Sequence, residues 1–257
     1  MTKIHLEVFG AGKPIVLVHG WAMHTGIWRE FARQLAQDYR VTCIDLPGHG
    51  RSGKIDPFTL ERISDELVKA VSEPSCWLGW SLGATVVLDI ADRHPERVSS
   101  LVLLAGNPLF TQTAQWPGMD IHLLDEFAEH LHENCQATLL RFLSLQVKGL
   151  SDHKVFLKAL KTAVFECDAP DAKILQGGLE ILKQMDMRAT LSGLNIPVSV
   201  ILGGLDTLIP VAVGQKMQLL LPSLELNIID RAGHVPFLSH SLETATIISR
   251  FMDEQCI

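Results

Sequence analysis

Short runs of consecutive apolar residues alternate along most of the chain with stretches whose apolar positions recur every three or four residues. The runs Ile15-Val16-Leu17-Val18, Val41-Thr42-Cys43-Ile44-Asp45, Cys76-Trp77-Leu78-Gly79, Leu101-Val102-Leu103-Leu104-Ala105, Val198-Ser199-Val200-Ile201-Leu202 and Leu224-Glu225-Leu226-Asn227-Ile228-Ile229 read as strands. Unbroken apolar runs, rather than strict alternation, predict strands covered on both faces. Between them, Ile27, Phe31 and Leu35 fall at helical spacing, and so do Ile63, Leu67 and Val71. Strand and helix in turn predict an α/β fold, a mostly parallel central sheet flanked by helices. The rhythm stops near Pro108 and resumes after Gly193. In between, only helical stretches are predicted, at about 123–131, 135–147, 154–165 and 172–184. The expected organisation is a core of 1–107 and 194–257 interrupted by an all-helical cap over 108–193. Loop signals Gly106-Asn107-Pro108 and Asn195-Ile196-Pro197 border it.

The sharpest chemical signal is Gly79-Trp80-Ser81-Leu82-Gly83, between a predicted strand and a predicted helix over 82–92. A serine on such a tight turn projects its hydroxyl above the sheet, and flanking glycines let strand and helix pass closely. Serine is a weak nucleophile and needs a base, itself oriented by an acid. Asp206 follows the fifth predicted strand and His234 the sixth, in the order serine, acid, histidine. Asp230 is a rival acid, close in sequence to His234, and His240 is a rival base, placed as a helix-entry residue. The amide of Leu82, and that of Trp21 in His19-Gly20-Trp21, are the expected oxyanion donors. His19 reads as a structural pin, and the Trp21 ring as either the wall of an acyl pocket or plain packing. Trp80 is expected to pack beneath the site. Asp45-Leu46-Pro47-Gly48-His49-Gly50-Arg51-Ser52 reads as a hydrogen-bonded structural loop rather than a second catalytic pair.

Composition narrows the classes. The 257 residues are 47% hydrophobic and 20% charged, which excludes a disordered or collagen-like chain. The net charge of −7 argues against nucleic acid as a partner. No 18-residue apolar run is present, so no membrane span is expected. Met1-Thr2-Lys3-Ile4-His5-Leu6-Glu7 lacks an apolar stretch, so no signal peptide is expected. Five scattered cysteines (Cys43, Cys76, Cys135, Cys167 and Cys256) form no CxxC pair, which suits a cytoplasmic location without disulfides. Neither a phosphate loop, a dinucleotide fingerprint nor metal-spaced histidines occur, so neither cofactor nor metal is expected. Within 141–161 the charge is locally positive: Arg141, Lys148, Lys154, Lys158 and Lys161 stand against Asp152 alone. That face is either an ordinary solvated surface or a dock for an acidic partner.

His19-Gly20-Trp21, the 45–52 loop and Gly79-Trp80-Ser81-Leu82-Gly83 resemble the α/β-hydrolase superfamily. The cap stretches Arg141-Phe142-Leu143-Ser144-Leu145-Gln146 and Leu175-Gln176-Gly177-Gly178-Leu179-Glu180-Ile181-Leu182, with His94-Pro95-Glu96-Arg97-Val98, resemble the pimeloyl-(acyl-carrier protein) methyl ester esterases of biotin synthesis. The resemblance implies an α/β-hydrolase fold and hydrolysis of a carrier-bound methyl ester through an acyl-serine. It places the triad on Ser81, Asp206 and His234. It places substrate contacts on Trp21, Ser81, Leu82, Phe142, Leu143, Ser144, Leu145, Gln146 and His234. Carrier docking falls on Arg141, Lys154 and Lys158, with Ala137 where that family can carry arginine. The acyl-carrier protein is the implied partner and a monomer the expected state. The competing readings are a general short-chain carboxylesterase and, in another class, a catalytically silent binding protein; the complete triad opposes the latter.

Overall fold

A computed structural model of the chain describes residues 2–254, so Cys256 lies outside the described residues. Seven strands form one sheet: β1 (Leu6–Phe9), β2 (Lys13–Val18), β3 (Tyr39–Ile44), β4 (Ser75–Trp80), β5 (Val98–Leu104), β6 (Val198–Gly203) and β7 (Glu225–Ile229). Their order is β1-β3-β2-β4-β5-β6-β7, and only the β1–β3 pair is antiparallel. The apolar runs are continuous because successive residues feed two different layers. Val16, Val18, Trp77, Leu101, Leu103, Val200 and Leu202 pack on one side. Ile15, Leu17, Leu78, Val102, Leu104 and Ile201 pack on the other.

Helices α2 (Leu60–Ala70) and α3 (Leu82–Arg93) pack together against one face, and α8 (Ala212–Leu220) joins β7 there. On the opposite face α1 (Arg29–Leu35) packs against the C-terminal helix α10 (Ser241–Glu254), which follows the short α9 (Pro236–Ser239). The edge strand β1 is absent from the pattern-based prediction. It has four residues, and Val8 within it is 57% exposed, so it lacks the buried run that marks β2 to β6. What holds it is register against β3, from Leu6 opposite Ile44 to Phe9 opposite Val41.

Between β5 and β6 the chain forms α4 (Ile121–Gln146), α5 (His153–Val164), α6 (Ala172–Gln184) and α7 (Arg188–Gly193). Two helices are expected where α4 runs. The break lies at Asn134 (φ −153°, ψ 84°), whose Oδ1 accepts the Ala137 amide at 3.0 Å as an N-cap for the second half. Asp171 caps α6 in the same way, accepting the Ile174 amide at 3.0 Å. The C-terminal end of α5 is clasped to the segments that follow β2 and β3. Arg29 Nη1 donates to both Glu166 oxygens at 2.7 Å, and Arg51 Nη2 donates to Glu166 Oε1 at 2.9 Å. His24 Nε2 meets the Ala163 carbonyl at 2.6 Å. α7 packs instead against α3 and α8.

Candidate active site

The site is built at the carboxyl ends of the parallel strands, where α/β folds gather their chemistry. Ser81 joins β4 to α3 with φ 56° and ψ −118°, a strained conformation for a residue with a side chain. The sequence permits this because of its glycines. A Cβ on Gly79 would lie 2.2 Å from the Gly83 carbonyl oxygen, and one on Gly83 would lie 2.4 Å from the Val18 carbonyl oxygen. The Ser81 amide is anchored on the Leu104 carbonyl of β5 at 3.2 Å. Two more non-glycine residues with positive φ, Ala22 (62°) and Ala105 (42°), lie just beyond β2 and β5.

Asp206 follows β6 and is wholly committed. Its Oδ1 accepts the Leu208 and Ile209 amides at 2.8 and 3.0 Å, and its Oδ2 accepts His234 Nδ1–H at 2.8 Å. Because the carboxylate accepts three hydrogen bonds, the ring proton sits on Nδ1 and Nε2 keeps its lone pair. His234 Nε2 is buried and has no partner among the described residues. The His234 backbone is pinned on both sides: Trp80 Nε1 donates to its carbonyl at 2.8 Å, and its amide donates to the Gln146 carbonyl at 3.2 Å. Trp80 also packs edge-on against Phe237 at 5.0 Å and against Trp28 at 5.9 Å, forming a floor under the histidine loop. Asp230, the rival acid, is exposed. His240, the rival base, turns its Nδ1 to Ser239 Oγ at 2.9 Å.

Above the serine, the loop after β2 and the second half of α4 meet. The turn and loop hydrogen bonds among the described residues use neither the Trp21 amide nor that of Leu82, the first residue of α3. The Trp21 ring lies on the seam with the inserted helices. Its Nε1 donates to the Leu175 carbonyl at 2.8 Å, and Phe142 meets it edge-on at 4.8 Å. A Cβ on Gly178 would lie 2.7 Å from Trp21 Cδ1, so this glycine of α6 lets the helix lie against the indole. Phe142, Leu143 and Gln146 are buried, and Leu145 is half-buried. Ser144 is exposed and bonds back to the Leu140 carbonyl at 2.8 Å, so it is not brought to Ser81. Arg141 lies over the Phe127 ring at 5.3 Å and pairs with Glu126 at 3.1 Å, while Lys154 and Lys158 are exposed on α5.

His19 is buried, with Nδ1 on the Gly20 carbonyl at 2.8 Å and Nε2 accepting the Leu46 amide at 2.9 Å; burial pushes its imidazole down to about 3. Asp45 braces its loop, accepting the Thr25 amide at 2.5 Å and the Arg51 amide at 2.8 Å. Two buried side chains here have atoms without a partner among the described residues: Gln146 Oε1, at an expected substrate contact, and Asn107 Nδ2, to which sequence reasoning gave no polar role. The only signal at Asn107 is the Gly-Asn-Pro loop, which reads as a boundary.

Fold and site together define an α/β hydrolase carrying a serine at its elbow and an acid–histidine pair beside it. The sequence matches the family model described as alpha/beta hydrolase fold over residues 13–241. A pimeloyl-(acyl-carrier protein) methyl ester esterase of Methylococcus capsulatus is 39% identical over 249 residues, 97% of this chain and 98% of the relative. The protein of the same name from Aliivibrio salmonicida is 35% identical over 99% of this chain and 97% of its own. Among solved structures, an esterase from Exiguobacterium antarcticum aligns with a TM-score of 0.86 at 22% identity, covering 98% of this chain and 96% of that one. A bromoperoxidase from Bacillus anthracis aligns with a TM-score of 0.85 at 21% identity, with the same coverage; likeness at this level speaks for the fold alone. The chain belongs to the α/β-hydrolase fold family and, within it, to the pimeloyl-(acyl-carrier protein) methyl ester esterases.

Proposed function

We propose that this protein hydrolyses the methyl ester of a pimeloyl chain carried on acyl-carrier protein, releasing methanol and leaving the carrier-bound acid. The observation that carries the hydrolytic reading is His234, held by Asp206 with its Nε2 unpaired beside the elbow. In this mechanism Ser81 Oγ attacks the ester carbonyl as His234 Nε2 takes its proton. The amides of Trp21 and Leu82 stabilise the oxyanion, and His234 returns the proton to the departing methanol. Water then enters, gives a proton to His234 and attacks the acyl-serine carbonyl; as the acyl–oxygen bond breaks, His234 returns that proton to Ser81 Oγ and the acid is released. Asp206 stabilises the imidazolium formed in each half and stays ionised.

The kinship over nearly the full chain, cap included, supports the choice of substrate. Residues 108–193 act as the cap, with Trp21, Phe142 and Gln146 at its inner face and Arg141, Lys154 and Lys158 as the carrier dock. Lysine at two of these positions keeps the charge but gives up bidentate geometry, so the dock acts mainly on encounter. The protein works as a cytoplasmic monomer in this reading; the described cysteines are free thiols, as a reducing compartment keeps them.

The test is kcat/KM for the carrier-bound methyl ester against free dimethyl pimelate, at low and high salt. A strong carrier preference that falls with salt is expected. Equal rates on both, indifferent to salt, would leave a general carboxylesterase in its place.

A further inference from the structure

Asn107 belongs to the loop that leads from β5 to the inserted helices, and the backbone places it beside the elbow. Three residues before it, the Leu104 carbonyl holds the Ser81 amide at 3.2 Å. One residue before it, Gly106 lies so close to α3 that a Cβ there would be 2.2 Å from the Ala84 Cβ. One residue after it, the Pro108 carbonyl accepts the Met187 amide at 2.7 Å, so the chain has already reached the far side of the insert. Asn107 thus sits where elbow and insert meet. It is 3% exposed, and its Nδ2 is buried with no partner among the described residues. Buried carboxamide donors are normally paired, because desolvation without a hydrogen bond is destabilising. An orphan donor on the loop that follows the strand holding the Ser81 amide points to an acceptor supplied by the substrate.

Resting on the esterase reading above, we propose that Asn107 Nδ2 donates a hydrogen bond to the alkoxy oxygen of the scissile ester and so selects oxygen esters over thioesters. The substrate's other ester oxygen, the carbonyl, is already served by the Trp21 and Leu82 amides. The alkoxy oxygen has two lone pairs. One takes the proton that His234 Nε2 delivers as the carbon–oxygen bond breaks, and the other accepts from Asn107, which keeps its own protons throughout. Sulfur in the same place is a weak acceptor and leaves the donor orphaned. The selection has a purpose on a carrier-bound acyl chain, which holds a methyl ester at one end and a thioester to the carrier at the other. Only the first is to be cut.

The experiment measures kcat/KM for a methyl ester and the matching S-methyl thioester, using wild type, Asn107→Leu, which keeps the shape without the donor, and Asn107→Ala. The expected result is a fall of about tenfold in the ester-to-thioester ratio in both variants, through loss of ester rate alone. If both substrates slow by the same factor, the residue is merely structural and the proposal fails. An unmoved ratio with unmoved rates equally overturns it. Asn107→Ala decides the matter should Asn107→Leu not fold. Wild type that cleaves methyl esters with an unmoved ratio in the variants defeats this inference alone. Wild type inactive on every methyl ester defeats the esterase reading and this inference with it.

Discussion

The loop after β2 and the loop after β7 each carry a fully buried histidine, His19 and His234, and both rings are protonated on Nδ1. They differ in what the two nitrogens meet. His19 Nδ1 gives its proton to a carbonyl, and its Nε2 is used up by the Leu46 amide, so the ring ties two loops together and has nothing left to offer. His234 Nδ1 gives its proton to a carboxylate, and its Nε2 is unpaired. A neutral carbonyl behind the ring does little for an imidazolium, whereas the Asp206 carboxylate stabilises it. Burial with both nitrogens engaged makes a pin at one site, and burial beside an anion with Nε2 left open makes at the other the arrangement that the proposed base requires.

The comparison breaks most clearly through His234→Ala. Its kcat on a small methyl ester is expected to fall by about 10⁵-fold, measured per folded molecule. Retained activity would remove the base assignment. Asp206→Asn comes next, with an expected fall of about 10⁴-fold, because an asparagine that donates to Nδ1 would favour the wrong tautomer. A loss of less than tenfold would mean that another acid serves the ring. His19→Ala is expected to act on stability instead. It leaves the Leu46 amide and the Gly20 carbonyl without partners, at a cost of about 3 kcal/mol in urea unfolding. Activity per folded molecule should fall far less than in the His234 variant, and an equal fall would erase the distinction.

The smallest effect is on pH. Burial lowers His19 and His49 to about 3, against 6.5 for the free side chain. Below pH 6.5 the unfolded chain takes up protons that the folded chain refuses. The stabilisation is therefore complete above pH 6.5 and is lost as pH falls toward 3, by up to about 1.4 kcal/mol per pH unit for each histidine. Thermal unfolding of wild type and His49→Gln between pH 7 and 5 should show the variant with the shallower slope. Identical slopes would contradict the buried, neutral state of His49.

Much of this was legible from residue order. The six apolar runs became six strands of one sheet; five follow the expectation of cover on both faces, but β7 (Glu225–Ile229) is an edge strand left half-exposed, with Ile228 40% exposed. The Asn134 cap lies between the two helices that the pattern separates. Other features left no periodic trace. β1 is short and half-exposed, and its pairing with β3 depends on distant residues. Glu166, gripped by Arg29 and Arg51, reads in isolation as one more surface acid.

The sequence by itself determined the α/β architecture, the run of helices between β5 and β6 and the strained turn at Ser81. These depend on local causes, namely apolar periodicity and glycines at places where a Cβ would collide with backbone. Only the tertiary structure decided which histidine is open and which is spent, that Ser144 faces away while Gln146 supports the His234 loop, and that Asn107 is buried with an idle donor. Most of those outcomes turn on which hydrogen-bond partner arrives from elsewhere in the chain, and folding alone brings residues as far apart as Gln146 and His234 to 3.2 Å.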